Sequence, residues 1–151
     1  MEMIVIKGAK LVPVQQQLFI SIFLLFAGTT VTHYDGTLVS RICNPHVISF
    51  ADELYDLAPN LVENLVDRTP KHVGLLFRFQ IRGKDIFGNI HGPLYGVGYC
   101  SASLTPNDCS DCLVSAKTKL YEECSLHGIG AQVHLKDCDI RYENYNITDV
   151  K

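Results

Sequence analysis

Six cysteines constrain this chain more than any other feature of its sequence, and all of them lie beyond its first forty residues. They are Cys43, Cys100, Cys109, Cys112, Cys124 and Cys138. An even number of cysteines in a short exported chain is typical of a disulfide framework, although the count alone leaves the pairing open. We therefore predict three disulfide bonds.

Two other interpretations of the cysteines remain open at this point. Cys109 and Cys112 have the CxxC spacing of zinc ligands, and Cys124, His127 or Cys138 would then complete a metal site. The same spacing occurs in redox-active pairs. Because an oxidising compartment favours disulfides over both alternatives, we predict no metal and no cofactor.

The N-terminal segment is the reason for expecting export. Lys7 and Lys10 precede an uncharged, mostly apolar run, LFISIFLLFAGTTV, over residues 18–31. This run is shorter than the roughly 20 residues that span a bilayer, and small residues follow its apolar part, as they do in signal peptides. We predict a signal peptide over residues 1–31, a single domain over residues 32–151, and no membrane span in the mature chain. A buried N-terminal helix is the alternative.

The net charge argues against two classes of partner. The whole chain carries −3, and the mature part carries about −4, because residues 1–31 contain Glu2, Lys7 and Lys10. Proteins that bind nucleic acid favour a strongly basic surface, and peptides that disrupt membranes are cationic and amphipathic. We therefore predict no nucleic-acid partner.

Two segments are predicted to be helical. In residues 49–68, leucines recur at helical spacing, and this helix either kinks at Pro59 or begins anew with Pro59 in its first turn. The second helix begins after Thr105, a suitable N-cap, with Pro106 at the first helical position. It ends near Cys124.

Alternating apolar and polar residues predict about five strands. They lie in residues 32–43, in residues 75–82, before Cys100, and twice within residues 130–145. The turn before the third strand is expected at residues 83–89, where Gly83-Lys84-Asp85 and Gly88-Asn89 occur. In the last region the inward positions change from odd to even numbers, which requires a bulge or tight turn near Cys138. The sum predicts an antiparallel α+β domain.

No catalytic constellation is visible in this sequence. The chain lacks a nucleophile motif such as G-x-S-x-G, and its six histidines are scattered without ligand spacing. Arg78, Arg82 and Lys84 form a small basic face that we interpret as solvated. We therefore predict that the protein is not an enzyme. Asn146-Ile147-Thr148 is a sequon for N-glycosylation at Asn146.

A set of motifs in the second half resembles the ginkbilobin-homologous, or stress-antifungal, domain of land plants. The motifs are Tyr95-Gly96, Cys100-x8-Cys109-x2-Cys112, Cys124, and the run IGAQVHLKDCDIRYENY. The resemblance covers roughly residues 35–145 and implies two helices packed on a five-stranded antiparallel sheet. It also implies the pairing Cys43–Cys124, Cys100–Cys109 and Cys112–Cys138, in which the two CxxC cysteines have different partners.

The resemblance further implies a sugar-binding activity. Single-domain members of this kind are secreted antifungal proteins of the apoplast that bind mannose. Asn44 and Glu143 match two of the three mannose ligands of the family, whereas Gln132 stands where the family has an arginine. Glutamine retains hydrogen-bond donors and an acceptor but lacks the charge of arginine. The expected partners are mannose, mannose-containing glycans of fungal cell walls, and other extracellular plant proteins.

A second function class is compatible with the same resemblance. Similar domains occur in the ectodomains of cysteine-rich receptor-like kinases and of plasmodesmata-located proteins, where they are non-lectin interaction or signalling modules. The glutamine at position 132 favours this class. The expected single domain, with neither a membrane span nor a kinase region, favours the defence protein.

Overall fold

The computed structural model of this chain describes residues 33–48, 55–84, 90–125 and 127–148. All of them belong to one compact unit, Thr32–Lys151. The predicted signal peptide over residues 1–31 lies outside the described residues and stays a prediction. Among the described residues, no helix combines the length and the apolar character needed to cross a membrane.

In the part of the chain that the structure describes, five strands form a single antiparallel sheet. They are β1 (Leu38–Cys43), β2 (Leu76–Lys84), β3 (Ile90–Cys100), β4 (Ala131–Leu135) and β5 (Cys138–Glu143). Their order across the sheet is β1-β4-β5-β3-β2, so β5 is central and β1 and β2 are the edges. The predicted five-stranded antiparallel sheet is confirmed.

Helix α1 spans Leu57–Arg68 and packs against β2 and β3. Pro59 is its third residue, in the first turn, where a missing N–H group breaks no intrahelical hydrogen bond. Of the two alternatives at Pro59, the separate helix is therefore correct. Residues 49–54, the start of the longer predicted helix, lie outside the described residues.

Helix α2 spans Pro106–Glu123 and packs against β4 and β5. Thr105 caps it as predicted, because its hydroxyl accepts a hydrogen bond of 3.2 Å from the backbone N–H of Asp108. One side of the helix is an apolar stripe that is buried against the sheet. Its buried members are Cys109, Cys112, Leu113, Ala116 and Leu120.

Both helices cover the same face of the sheet, which we call the inner face. Alternate residues of β4 and β5 are buried there in one core, in agreement with the predicted pattern. The change from odd to even inward positions occurs at Lys136 and Asp137, the two residues that join these strands. The predicted irregularity is therefore a tight turn rather than a bulge.

Two glycines on the inner face of β3 allow α1 to lie close to the sheet. A methyl group at Gly98 would overlap the hydroxyl of Thr69, and one at Gly96 would press on Leu61 and Leu65. Thr69 is fully buried, and its hydroxyl donates a 2.6 Å hydrogen bond to the carbonyl of Leu65. The close approach explains why β3 alternates glycine with larger residues.

The prediction of a turn at Gly83 and Lys84 is wrong, because both residues lie within β2. Gly83 instead marks an irregularity, since the register between β2 and β3 shifts between Ile81 and Gly83. Glycine in a strand is compatible with such a bulge as well as with a turn. Residues 85–89, with the second turn motif, lie outside the described residues.

The three disulfide bonds have the pairing that the resemblance implies, and each ties a different strand to α2 or to the residue after it. Cys43–Cys124 holds the end of β1, Cys100–Cys109 holds the end of β3, and Cys112–Cys138 holds the start of β5. Because Cys109 and Cys112 have different partners, neither the zinc nor the redox interpretation applies to them. All three bonds lie on the inner face.

Candidate functional site

The face of the sheet opposite the helices, which we call the outer face, carries most of the polar strand residues. Residues directly opposite each other in antiparallel strands point to the same face. One row therefore runs across all five strands, and it contains Ile42, Gln132, Arg141, Val97 and Arg78. The next row brings Glu143 beside Tyr95 and Gln80.

The three predicted sugar ligands, Asn44, Gln132 and Glu143, lie at neighbouring positions around the start of β4. The backbone N–H of Asn44 donates a 2.9 Å hydrogen bond to the carbonyl of Gly130. A methyl group on Gly130 would collide with Oε2 of Glu143. Asn44 and Glu143 thus flank the same glycine, and Gln132 follows two residues later on the same face.

Asn44 is held from two sides. Its side-chain Oδ1 accepts a 3.0 Å hydrogen bond from the backbone N–H of His46, which closes an Asx turn around Pro45. The preceding residue, Cys43, is bonded to Cys124. Asn44 therefore has a structural role in the turn, and the disulfide fixes its position next to β4.

Gln132 is held on the outer face by Asp139. Its Nε2 donates a 2.9 Å hydrogen bond to Oδ2 of Asp139, and Nδ1 of His134 lies 3.0 Å from the same oxygen. Burial raises the pKa of Asp139, while the hydrogen bonds from Gln132 and His134 act against that rise. The carboxylate of Asp139 thus orients the glutamine amide.

Arg141 is a further member of this cluster that the sequence analysis did not single out. It lies directly opposite Gln132, its Nε is 3.4 Å from Oε1 of Glu143, and its Nη2 donates a 2.9 Å hydrogen bond to the hydroxyl of Tyr145. The side chains of Arg141 and Glu143 are only 20% and 12% exposed. A partly desolvated pair of this kind makes stronger hydrogen bonds than the same two side chains would make if they were fully exposed to water.

The resulting cluster offers a carboxylate acceptor, a guanidinium donor and an amide on two adjoining strands, β4 and β5. Such a set suits an uncharged ligand with several hydroxyl groups, since each hydroxyl both donates and accepts. Among the described residues, no group of three or more histidine, cysteine or acidic side chains is arranged to hold a metal ion.

A separate open cleft of about 400 Å³ lies between the end of α1 and the start of α2. Its lining includes Glu63, Asp67, Lys71 and Asn107, and Lys71 is paired with Asp67 across one helical turn. The cleft contains none of the predicted sugar ligands.

Comparison with protein families gives a match over residues 43–145 to the family described as "Salt stress response/antifungal". Curated relatives include "Antifungal protein ginkbilobin-like protein 1" of Picea sitchensis, 43% identical over 53 residues that cover 35% of this chain and 39% of that protein. "Antifungal protein ginkbilobin-2" of Ginkgo biloba is 39% identical over 49 residues, covering 32% and 36%. The matched stretches thus span well under half of the length of these relatives.

Two solved structures show the same fold. The tandem DUF26 ectodomain of the Arabidopsis thaliana cysteine-rich receptor-like protein PDLP5 is 24% identical with a TM-score of 0.60, covering 73% of this chain and 51% of that one. The tandem DUF26 ectodomain of PDLP8 from the same plant is 18% identical with a TM-score of 0.63, covering 76% and 51%. At these identities the likeness concerns the fold alone.

Proposed function

Since the chain belongs to the salt stress response/antifungal family, we propose that it is a secreted plant defence protein with antifungal, mannose-binding, lectin-like activity. The partners we propose are mannose and mannose-containing glycans of fungal cell walls, met in the apoplast. The observation that carries the proposal is the convergence of Asn44, Gln132 and Glu143 around Gly130 on the outer face.

The proposed site contains a guanidinium group even though position 132 is a glutamine. Arg141 occupies the directly opposite position on β5 and points to the same face. Its planar fork of donors is suited to several sugar hydroxyls at once. In this proposal Glu143 accepts hydrogen bonds from the sugar, while Arg141 and Gln132 donate them, and no bond is broken.

Titration calorimetry with mannose tests this function, with galactose as the comparison sugar. We expect millimolar binding of mannose and at least ten-fold weaker binding by Glu143→Ala, because a hydrogen bond to a charged group contributes about 1.5–3 kcal/mol. Glu122→Ala, which removes an exposed carboxylate of α2, is the matched control and should bind like the wild type. Absence of millimolar binding, with no effect of Glu143→Ala, would exclude the lectin function.

The second candidate is a non-lectin extracellular interaction or signalling module. Two observations favour it: the fold is shared with ectodomains of receptor-like proteins, and position 132 departs from the arginine implied for the sugar site. Capture of a plant extracellular protein that is unaffected by both free mannose and Glu143→Ala would support this module instead.

A further inference from the structure

The chain that follows β5 crosses the outer face, and we call residues 145–148 the crossing segment. At its start, the hydroxyl of Tyr145 accepts a hydrogen bond of 2.9 Å from Arg141 on β5. At its end, Arg78 on β2 donates to the carbonyl of Ile147 at 2.5 Å and lies 3.5 Å from that of Thr148. Both arginines belong to the outer face, so the segment runs from the centre of the sheet to its β2 edge.

The crossing segment is anchored by its third residue. Ile147 is only 4% exposed, and so is Val97, which lies between Arg78 and Arg141 on the outer face. Neither residue belongs to the core between the sheet and the helices. Asn146 and Thr148, on either side of Ile147, are exposed. The backbone is therefore held against the sheet while Asn146 is open to solvent.

The same three residues form the glycosylation sequon, Asn146-Ile147-Thr148. A glycan on an exposed Asn146 displaces neither Ile147 nor the hydrogen bonds of Arg78. In the transfer, the side-chain nitrogen of Asn146 bonds to the anomeric carbon of a lipid-diphosphate-linked oligosaccharide, loses one proton, and the lipid diphosphate leaves. The fold thus accommodates the modified asparagine.

The attachment point lies close to the proposed sugar site. Asn146 is the third residue after Glu143, and three extended residues span at most about 11 Å. An N-linked glycan contains mannose beyond its first two sugars, and it is tethered here beside a site that we propose to bind mannose. A ligand tethered so closely has an effective concentration in the millimolar range.

We propose that Asn146 carries an N-linked, mannose-containing glycan that occupies the outer-face sugar site of its own chain and so weakens the binding of free mannose. The inference rests on the proposed sugar-binding function. With a tethered sugar at millimolar effective concentration and millimolar affinity, removal of the glycan should strengthen the binding of free mannose about two- to five-fold.

The experiment uses the full chain secreted from a eukaryotic host, with intact mass measured for each variant. Asn146→Gln removes the attachment point, and Thr148→Ala removes the sequon while Asn146 stays. Thr148→Ser is the matched control because it keeps the sequon. We expect a glycan mass on wild type and Thr148→Ser only, and tighter mannose binding by the two variants without it. Thermal unfolding checks that each variant is folded.

Three results would overturn the inference, and one of them separates it from the proposed function. An intact mass without glycan on the secreted wild type excludes the modification. Equal mannose affinities of the glycosylated wild type and Asn146→Gln exclude competition by the glycan but leave the sugar-binding function standing. Failure of every variant to bind mannose, Asn146→Gln included, excludes both.

Discussion

Gln132 and Arg141 lie directly opposite each other on β4 and β5, so an amide and a guanidinium share one row of the outer face. Arg141 also lies next to Glu143, with 3.4 Å between Nε and Oε1. The positive charge of the proposed sugar site therefore comes from the strand beside Gln132 rather than from position 132 itself.

Because positions 132 and 141 lie opposite each other, we predict that an arginine at position 132 can take over the role of the arginine at position 141. Arg141→Gln should weaken mannose binding about ten-fold or more, because a hydrogen bond to a charged group contributes about 1.5–3 kcal/mol. The double variant Gln132→Arg/Arg141→Gln should recover most of that loss, since the opposed positions share a face. Calorimetric titration measures both. Arg82→Gln, which changes an exposed arginine of β2, is the control, and equal affinities of wild type and Arg141→Gln would contradict the role.

Gly130→Ala should weaken mannose binding strongly while it lowers the stability of the fold only slightly. The added methyl group overlaps Oε2 of Glu143 and comes within 3.3 Å of the backbone carbonyl oxygen of Tyr142. The end of the Glu143 side chain can rotate away at a cost of about 1 kcal/mol. We expect at least ten-fold weaker mannose binding, but a loss of only about 1 kcal/mol in the free energy of unfolding. Gly92→Ala is the control, because an added methyl group there meets no atom within 4 Å.

Combining Gly130→Ala with Glu143→Ala separates this mechanism from a general distortion of β4. If the methyl group acts through Glu143, the double variant should bind mannose no more weakly than Glu143→Ala alone, because the two effects share one contact. Additive losses would show that the backbone around Gly130 has moved.

Asp139 should make the stability of the protein depend on pH. Burial raises the pKa of Asp139 above its usual value of 3.8, so the folded state binds a proton at a pH where the unfolded state has lost it. The free energy of unfolding should therefore fall as pH rises from about 3.8 through the folded-state pKa. Asp139→Asn removes this contribution. Urea unfolding over a pH series should show the variant gaining stability relative to wild type as pH rises, and parallel curves would contradict the assignment.

Cys43–Cys124 should be the first disulfide to open under mild reduction. Cys43 is exposed, whereas the four cysteines of the other two bonds are at most 1% exposed. Limited reduction followed by alkylation and peptide mapping should label Cys43 and Cys124 before the rest. Cys43→Ser/Cys124→Ser should cost up to about 4.5 kcal/mol of stability, since the bond closes a long loop. Preferential labelling of Cys112 and Cys138 would contradict this order.

Much of the fold follows from local sequence patterns. The capped α2, its buried stripe and the alternating strands β4 and β5 were predictable, because hydrophobic period and capping act over a few residues. The bulge at Gly83 was not, since glycine is equally compatible with a turn. The helix start at Leu57 was one of two open alternatives at Pro59, and packing against the sheet decides between them.

The site was less predictable than the fold because it depends on register. Asn44, Gln132 and Glu143 were proposed from a resemblance, whereas Arg141 enters through the two-residue turn that sets the pairing of β4 with β5. The sequence did not determine the length of that turn, and therefore it did not determine which residue of β5 lies opposite Gln132. The crossing segment was not foreseen at all, since Arg78, which donates a hydrogen bond to Ile147, lies 69 residues before it in the chain.

The placement of the disulfides has a consequence for protein engineering. All three bonds lie on the inner face, so no outer-face side chain belongs to the covalent framework. Positions such as 132, 141 and 143 alternate with the buried residues and can be randomised in a library while the core composition stays constant. This domain is therefore a candidate scaffold for selecting new carbohydrate specificities.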